Sequence, residues 1–144
     1  MTSVNQVIAP EEQHAPMLMG LLLNKVRAAF AGEDWGGLRQ SHFRVMTCVP
    51  AAGISITDLG ERVGMTKQGC GQFVSHLVDT GHLKVERDPD DRRTRIVKRT
   101  ALGNRTVKRV SARILRVERA WAARVGDENY QTFRHVLDQL ALDD

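Results

Sequence analysis

Residues 55–100, SITDLGERVGMTKQGCGQFVSHLVDTGHLKVERDPDDRRTRIVKRT, decide how this chain folds. Ser55 is a helix-capping residue type, Asp58 stands three positions on where a capping-box acid belongs, and Leu59 and Val63 give an apolar i, i+4 pair. A short helix ended by Gly64 follows from these. Thr66 is placed to cap a second helix in which Cys70, Phe73, Val74, Leu77 and Val78 recur at helical spacing, with Gly81 where a left-handed C-terminal cap belongs. Two capped helices across a tight turn outline a helix-turn-helix. Residues 83–87 and 96–100 then read as short strands, and the connector Asp88-Pro89-Asp90-Asp91-Arg92-Arg93 has no apolar residue but the turn-favouring proline. A charged hairpin in that place is a wing. The expectation is a mainly α fold with a small two-stranded wing, an α+β winged helix-turn-helix.

The residues that carry this outline resemble the MarR family of bacterial transcription regulators. The resemblance is strongest over residues 38–107, and its most specific part is Asp91-Arg92-Arg93 followed by a strand and Thr100-Ala101-Leu102-Gly103. It implies one MarR-like domain across residues 1–144: a DNA-binding core at about 38–107, dimerisation helices at about 14–32 and 108–142, and a mobile arm at 1–13. It also implies a homodimer that reads an inverted-repeat operator in double-stranded DNA. A small-molecule effector acting between the dimer region and the wings would relieve repression.

Upstream of the quoted stretch, residues 1–13 show no apolar period. From residue 14 to 31 Leu18, Leu21, Leu22, Val26 and Phe30 share one helical face, and Gly32 closes the segment. Ser41 is read as the cap of a helix carrying Phe43, Val45, Met46 and Val49 as far as Pro50. Downstream, Thr100 is read as the cap of a long helix with a seam of Val107, Val110, Ile114, Val117 and Trp121, spaced 3, 4, 3 and 4 apart. Gly126 and Asp127 mark a turn and cap, after which Tyr130, Phe133, Leu137 and Leu140 repeat the spacing. These seams exceed what a small winged helix covers, and a two-fold dimer is the natural way to bury them. Leu18, Leu22, Tyr130, Phe133, Leu137 and Leu140 are the expected interface residues.

Charge is unevenly spread. The formal net charge is +4, yet residues 84–119 hold 13 Lys/Arg against 5 Asp/Glu, while residues 126–144 hold 1 against 5. A polyanion would dock on the basic block. The apolar fraction of 42% in 144 residues suffices for one packed domain. Two cysteines without a CxxC, no basic-then-apolar leader, and an apolar run no longer than residues 17–23 point to a reducing cytoplasm and no membrane.

The second helix is expected to lie in the major groove with its N-terminal half towards the base edges. Lys67, Gln68 and Gln72 are then the readers, with Ser75 and His76 as further candidates and Thr66 at the helix start. Glutamine pairs bidentately with adenine, and lysine donates to guanine or phosphate. The resemblance assigns Arg93 the family's minor-groove arginine, with Arg92 its neighbour and Arg95 beside them. It assigns Asp91 the acidic partner that holds the wing by ion pairing. A guanidinium is drawn by the deepened negative potential of a narrow minor groove.

Other classes leave weaker traces. Gly69-Cys70-Gly71 is no nucleotide loop, because Val74 stands where a third glycine would fall, and no GxSxG, P-loop, HExxH or paired carboxylates suggest an enzyme. No cofactor is expected, and His14, His42, His76, His82 and His135 lack metal-type spacing. Two alternatives stay open: a winged-helix module for protein contact alone, which leaves the basic block unexplained, and a redox-responsive regulator using Cys48. Cys70 occupies an apolar helical position and reads as core.

Overall fold

The structure, a computed structural model, describes residues 9–142. A 3-10 turn at Pro10–Glu12 is followed by α1 (Ala15–Ala29), α2 (Gln40–Thr47), β1 (Ile54–Ser55), α3 (Ile56–Val63), α4 (Lys67–Asp79), β2 (Leu83–Arg87), β3 (Arg95–Arg99), α5 (Ala101–Val125) and α6 (Asp127–Leu142). Of the arm expected at 1–13, residues 1–8 lie outside the described residues. No described helix is long and apolar enough to cross a membrane. The chain divides into two compact units: residues 34–112, and residues up to 33 together with those from 113 on.

The 34–112 unit is the winged helix. Ser55 Oγ accepts from Asp58 N at 3.1 Å, and Thr66 Oγ1 accepts from Gly69 N at 3.0 Å, so both expected caps form. Gly64 and Gly81 end their helices at φ of 73° and 84°, a left-handed conformation that a side chain would strain. Leu59, Cys70, Leu77 and Val97 are fully buried, with Phe43, Val45 and Met46 of α2 beside them in the core. The first half of α5 is tied to the start of the unit. The Arg109 guanidinium lies 3.9 Å over the Trp35 ring and donates to Asp34 O at 3.1 Å, and Trp35 meets Phe43 edge-on at 5.1 Å.

The two-stranded wing forms as β2 and β3. A third strand joins its sheet, in the order β1-β3-β2, because Ile54 and Ser55 pair antiparallel with Val97 and Ile96. Two residues are too few to show a period of two, so β1 is silent in the sequence. β3 spans 95–99 instead of 96–100. Asp88 N donates to Thr94 O at 2.9 Å and closes the tip, so Arg95 pairs with Arg87, while Thr100 leaves the sheet to cap α5 by accepting from Gly103 N at 3.1 Å. The N-cap of α2 is Arg39, not Ser41: its backbone N–H donates to Nδ1 of the buried His42 at 2.9 Å, which places Ser41 inside the first turn.

The second unit consists of α1, the C-terminal half of α5, and α6. No residue of α1 is buried, and Tyr130 is the buried residue of α6. Tyr130 OH donates to Glu118 Oε1 at 2.6 Å, and burial followed by this bond pushes its pKa up to about 12. Glu118 also pairs with Arg134 at 3.8 Å, and Arg113 pairs with Glu33. Leu22, Trp121, Tyr130 and Phe133 wall an apolar hollow of about 640 Å³. Leu18, Leu23, Leu140 and Leu142 stand 43, 63, 79 and 78% exposed.

Candidate nucleic-acid interface

Helix α4 is two-faced. Cys70, Val74 and Leu77 point into the core, and burial raises the Cys70 thiol above its ordinary pKa, which makes it a poor nucleophile. Lys67, Gln68, Gln72 and Ser75 are exposed, the last three one helical turn apart at i, i+4 and i+7. Their heads can therefore meet a surface together. Thr66 at the start of this face has its hydroxyl committed to the cap.

His76 sits differently from the other expected readers. Its ring centroid lies 5.0 Å from that of His42 on α2, and His42 also meets Phe73 edge-on at 5.2 Å. Burial, then the charges of His76 and Arg39, lower the His42 pKa, and accepting the Arg39 N–H uses its Nδ1 lone pair. His76 thus links the exposed face of α4 to α2.

The wing is held by backbone-directed bonds. Asp91 Oδ1 accepts from Arg93 N at 3.1 Å and Oδ2 accepts from Thr94 Oγ1 at 3.2 Å, so Asp91 shapes the tip by an Asx turn instead of the expected ion pair. Asp88 Oδ1 accepts from Asp90 N at 2.9 Å in the same manner. Arg92, Arg93 and Arg95 are all exposed.

Cross-strand pairing adds a residue that sequence reasoning missed. Two like-charged pairs stand directly opposite in the hairpin, Lys84 with Lys98 and Arg87 with Arg95. Glu86 relieves the first pair by binding Lys84 at 3.3 Å and Lys98 at 3.2 Å, which holds its own pKa below the usual carboxylate range. Among the described residues no carboxylate forms an ion pair with Arg87 or Arg95. Opposed like charges are unfavourable in a sheet, so the pair at the mouth of the wing suits a polyanion better than an empty surface. The signal for Arg87 is its register with Arg95, which needs the strand boundary to be right.

Cys48, at the C-terminal end of α2, is half-buried, and its carbonyl accepts from Arg62 Nη1 at 3.3 Å. Of the expected dimer residues, Leu18 and Leu140 are exposed, Leu22, Phe133 and Leu137 are half-buried, and Tyr130 is covered within its own chain. Among the described residues, no group of three or more His, Cys, Asp or Glu is placed to hold a metal ion.

Comparison with known proteins agrees with this geometry. Residues 37–94 match the family model described as the MarR family. No curated protein matches by sequence. Among solved structures, the PcaV transcriptional regulator from Streptomyces coelicolor in complex with its natural ligand is similar over 98% of this chain and 97% of its own, at 23% identity and a TM-score of 0.73. The transcriptional repressor CouR, bound to a 23-mer DNA duplex, matches over 92% and 96% at 19% identity and a TM-score of 0.77. MarR itself matches over 93% and 92% at 19% identity and a TM-score of 0.78. At these identities the likeness to solved structures establishes the winged-helix fold. Over residues 37–94, a little under half of its length, this chain is similar to the MarR family.

Proposed function

We propose that this protein is a homodimeric, sequence-specific DNA-binding transcription regulator of the cytoplasm, a repressor released by a small-molecule effector. The observation that carries the reading is the joint exposure of the polar face of α4 and a wing whose Arg87, Arg92, Arg93 and Arg95 are in no ion pair among the described residues. Lys67, Gln68 and Gln72 read base edges in the major groove, with Ser75 and His76 further along. Arg93, flanked by Arg92 and Arg95, enters the minor groove, and Asp91 holds the tip that presents it. The 34–112 unit is the DNA-binding module, and α1, α6 and the end of α5 associate with a second copy. A CouR structure bound to DNA and a PcaV structure bound to its natural ligand support DNA and an effector as partners for this fold.

Two copies related by a two-fold axis read an inverted repeat with half-sites about 10 bp apart. The test is binding to an operator library at several salt concentrations. Log K is expected to fall with log salt at about −0.9 per phosphate neutralised. Gln72→Ala loses about 1–3 kcal/mol of discrimination at one or two positions, while Arg93→Ala weakens binding with little change in major-groove preference. A flat salt dependence would exclude nucleic acid as the partner, and identical profiles for the two variants would overturn the assignment of grooves.

A further inference from the structure

At the root of the wing, where β3 runs into α5, lies a hollow of about 440 Å³ lined by Arg99, Asn104, Arg105, Val107, Lys108 and Ser111. Three of the six are cations and none is a carboxylate. None of the three forms an ion pair among the described residues. The neighbouring lysines differ, because Lys84 and Lys98, one residue before Arg99, share Glu86. Asn104, Lys108 and Ser111 follow one another at i, i+4 and i+7 along α5, so they project from one face, and Arg99 adds a guanidinium from the strand.

A second, independent observation comes from Arg99. Its Nε is buried without a hydrogen-bond partner, the one side-chain nitrogen or oxygen so placed among the described residues. A buried donor without an acceptor is costly, and the usual explanation is a missing ion or water. Guanidinium and ammonium groups beside amide and hydroxyl donors form a donor-rich set that matches an oxyanion.

We infer that this hollow is a binding site for a small free oxyanion, a phosphate or carboxylate group, held by Arg99, Arg105 and Lys108 with Asn104 and Ser111 donating. It is distinct from the DNA-facing tip. The four residue steps from Arg95 to Arg99 separate the two by about 13 Å along the strand. The site also adjoins the end of the recognition helix. Thr100, next to Arg99, places its hydroxyl 2.5 Å from Gly81 O and 3.1 Å from His82 O, and Gly81 is the residue that terminates α4. An anion that draws Arg99 therefore acts on the strand end against which α4 is fixed.

The experiment is NMR titration of the full chain, free of DNA, with inorganic phosphate and separately with acetate, at constant ionic strength held with chloride. Saturable shifts confined to residues 99–111 with either probe support the site, and the probe that binds tells a phosphate from a carboxylate ligand. Joint Arg105→Gln and Lys108→Gln substitution should weaken binding by about tenfold or more, since each removes a charge-assisted bond. Both residues are exposed, so the fold is retained, and joint Arg116→Gln and Arg119→Gln on the same helix should leave binding unchanged. Arg99→Lys keeps the charge but not the fork and should weaken phosphate binding as well. Shifts that do not saturate, that centre on Arg92 and Arg93, or that fall equally in the two double variants would overturn the site.

Discussion

Arg87 and Arg95 are direct partners across the wing, and neither forms an ion pair among the described residues. The free hairpin bears a repulsion that bound DNA would relieve. Arg95→Glu places opposite charges in register and is expected to stabilise the free protein by about 0.2–1 kcal/mol while weakening operator binding. Thermal unfolding and binding isotherms on the same variant check this. A variant that melts lower and binds DNA as before would remove Arg95 from the interface.

The His42 ring is buried between Arg39 and α4, and its pKa lies below the ordinary 6.5. His82 shifts the same way, through burial and then His76, and its Nδ1 lies 2.7 Å from Thr80 Oγ1. A group whose folded pKa is lowered binds more protons unfolded than folded between the two values, so stability rises with pH there. The contribution is complete above the unfolded pKa near 6.5 and is lost as pH falls through it towards the folded value. Urea unfolding at pH 5.5 should therefore give a lower stability than at pH 7.5. In His42→Gln, whose amide oxygen can still accept the Arg39 N–H, the difference should shrink. An unchanged difference would assign the pH effect to other groups.

Gly103 illustrates a glycine needed for space. A Cβ built there would lie 2.1 Å from His82 O, a backbone atom with no freedom to retreat, whereas at Gly20 in α1 a Cβ meets nothing within 4 Å. Gly103→Ala should destabilise by about 1–3 kcal/mol or more through overpacking. Gly20→Ala should stabilise by roughly 0.5–1 kcal/mol, because alanine is the better helix former. Opposite shifts in melting temperature are expected, and a stabilised Gly103→Ala would mean that α5 does not pack against the end of α4 as described.

What was legible in the sequence was whatever a local rule controls. Ser55 and Thr66 cap as their types suggest, Gly64 and Gly81 end helices as expected, and the apolar positions of α4 split into the buried Cys70, Val74 and Leu77 and a more exposed Val78. The remainder depended on partners distant in the chain. Ile54 is a strand residue only because Val97 lies beside it, and Arg87 gains its meaning only from Arg95. The α2 cap is not legible because an imidazole at the third helical position accepts the N-cap N–H, the work usually given to Glu or Gln, and His42 offers no sequence signal for that. The acidic type of Asp91 suggests an ion pair, but its bonds run to Arg93 N and to the Thr94 hydroxyl. Gly103 and the Arg99 hollow needed the strand-to-helix junction to be built.

The exposed leucines of the apolar seam test association more cleanly than its buried members. Tyr130 is 6% exposed and bonded to Glu118, so replacing it would disturb the unit itself. Leu18 and Leu140 are 43% and 79% exposed, and aspartate at either costs a lone chain little. In a two-fold dimer each substitution counts twice. Burying a leucine is worth at least about 1.5 kcal/mol, so Leu18→Asp with Leu140→Asp should remove on the order of 6 kcal/mol from association, roughly four powers of ten in Kd. Carboxylates left unpaired in the interface would add to that loss. Sedimentation should show a wild-type dimer and a monomeric double variant that retains its helical circular dichroism and binds a single half-site weakly. A double variant that still sediments as a dimer would place the interface elsewhere, and a wild-type monomer that binds its operator tightly would exclude two-fold reading altogether.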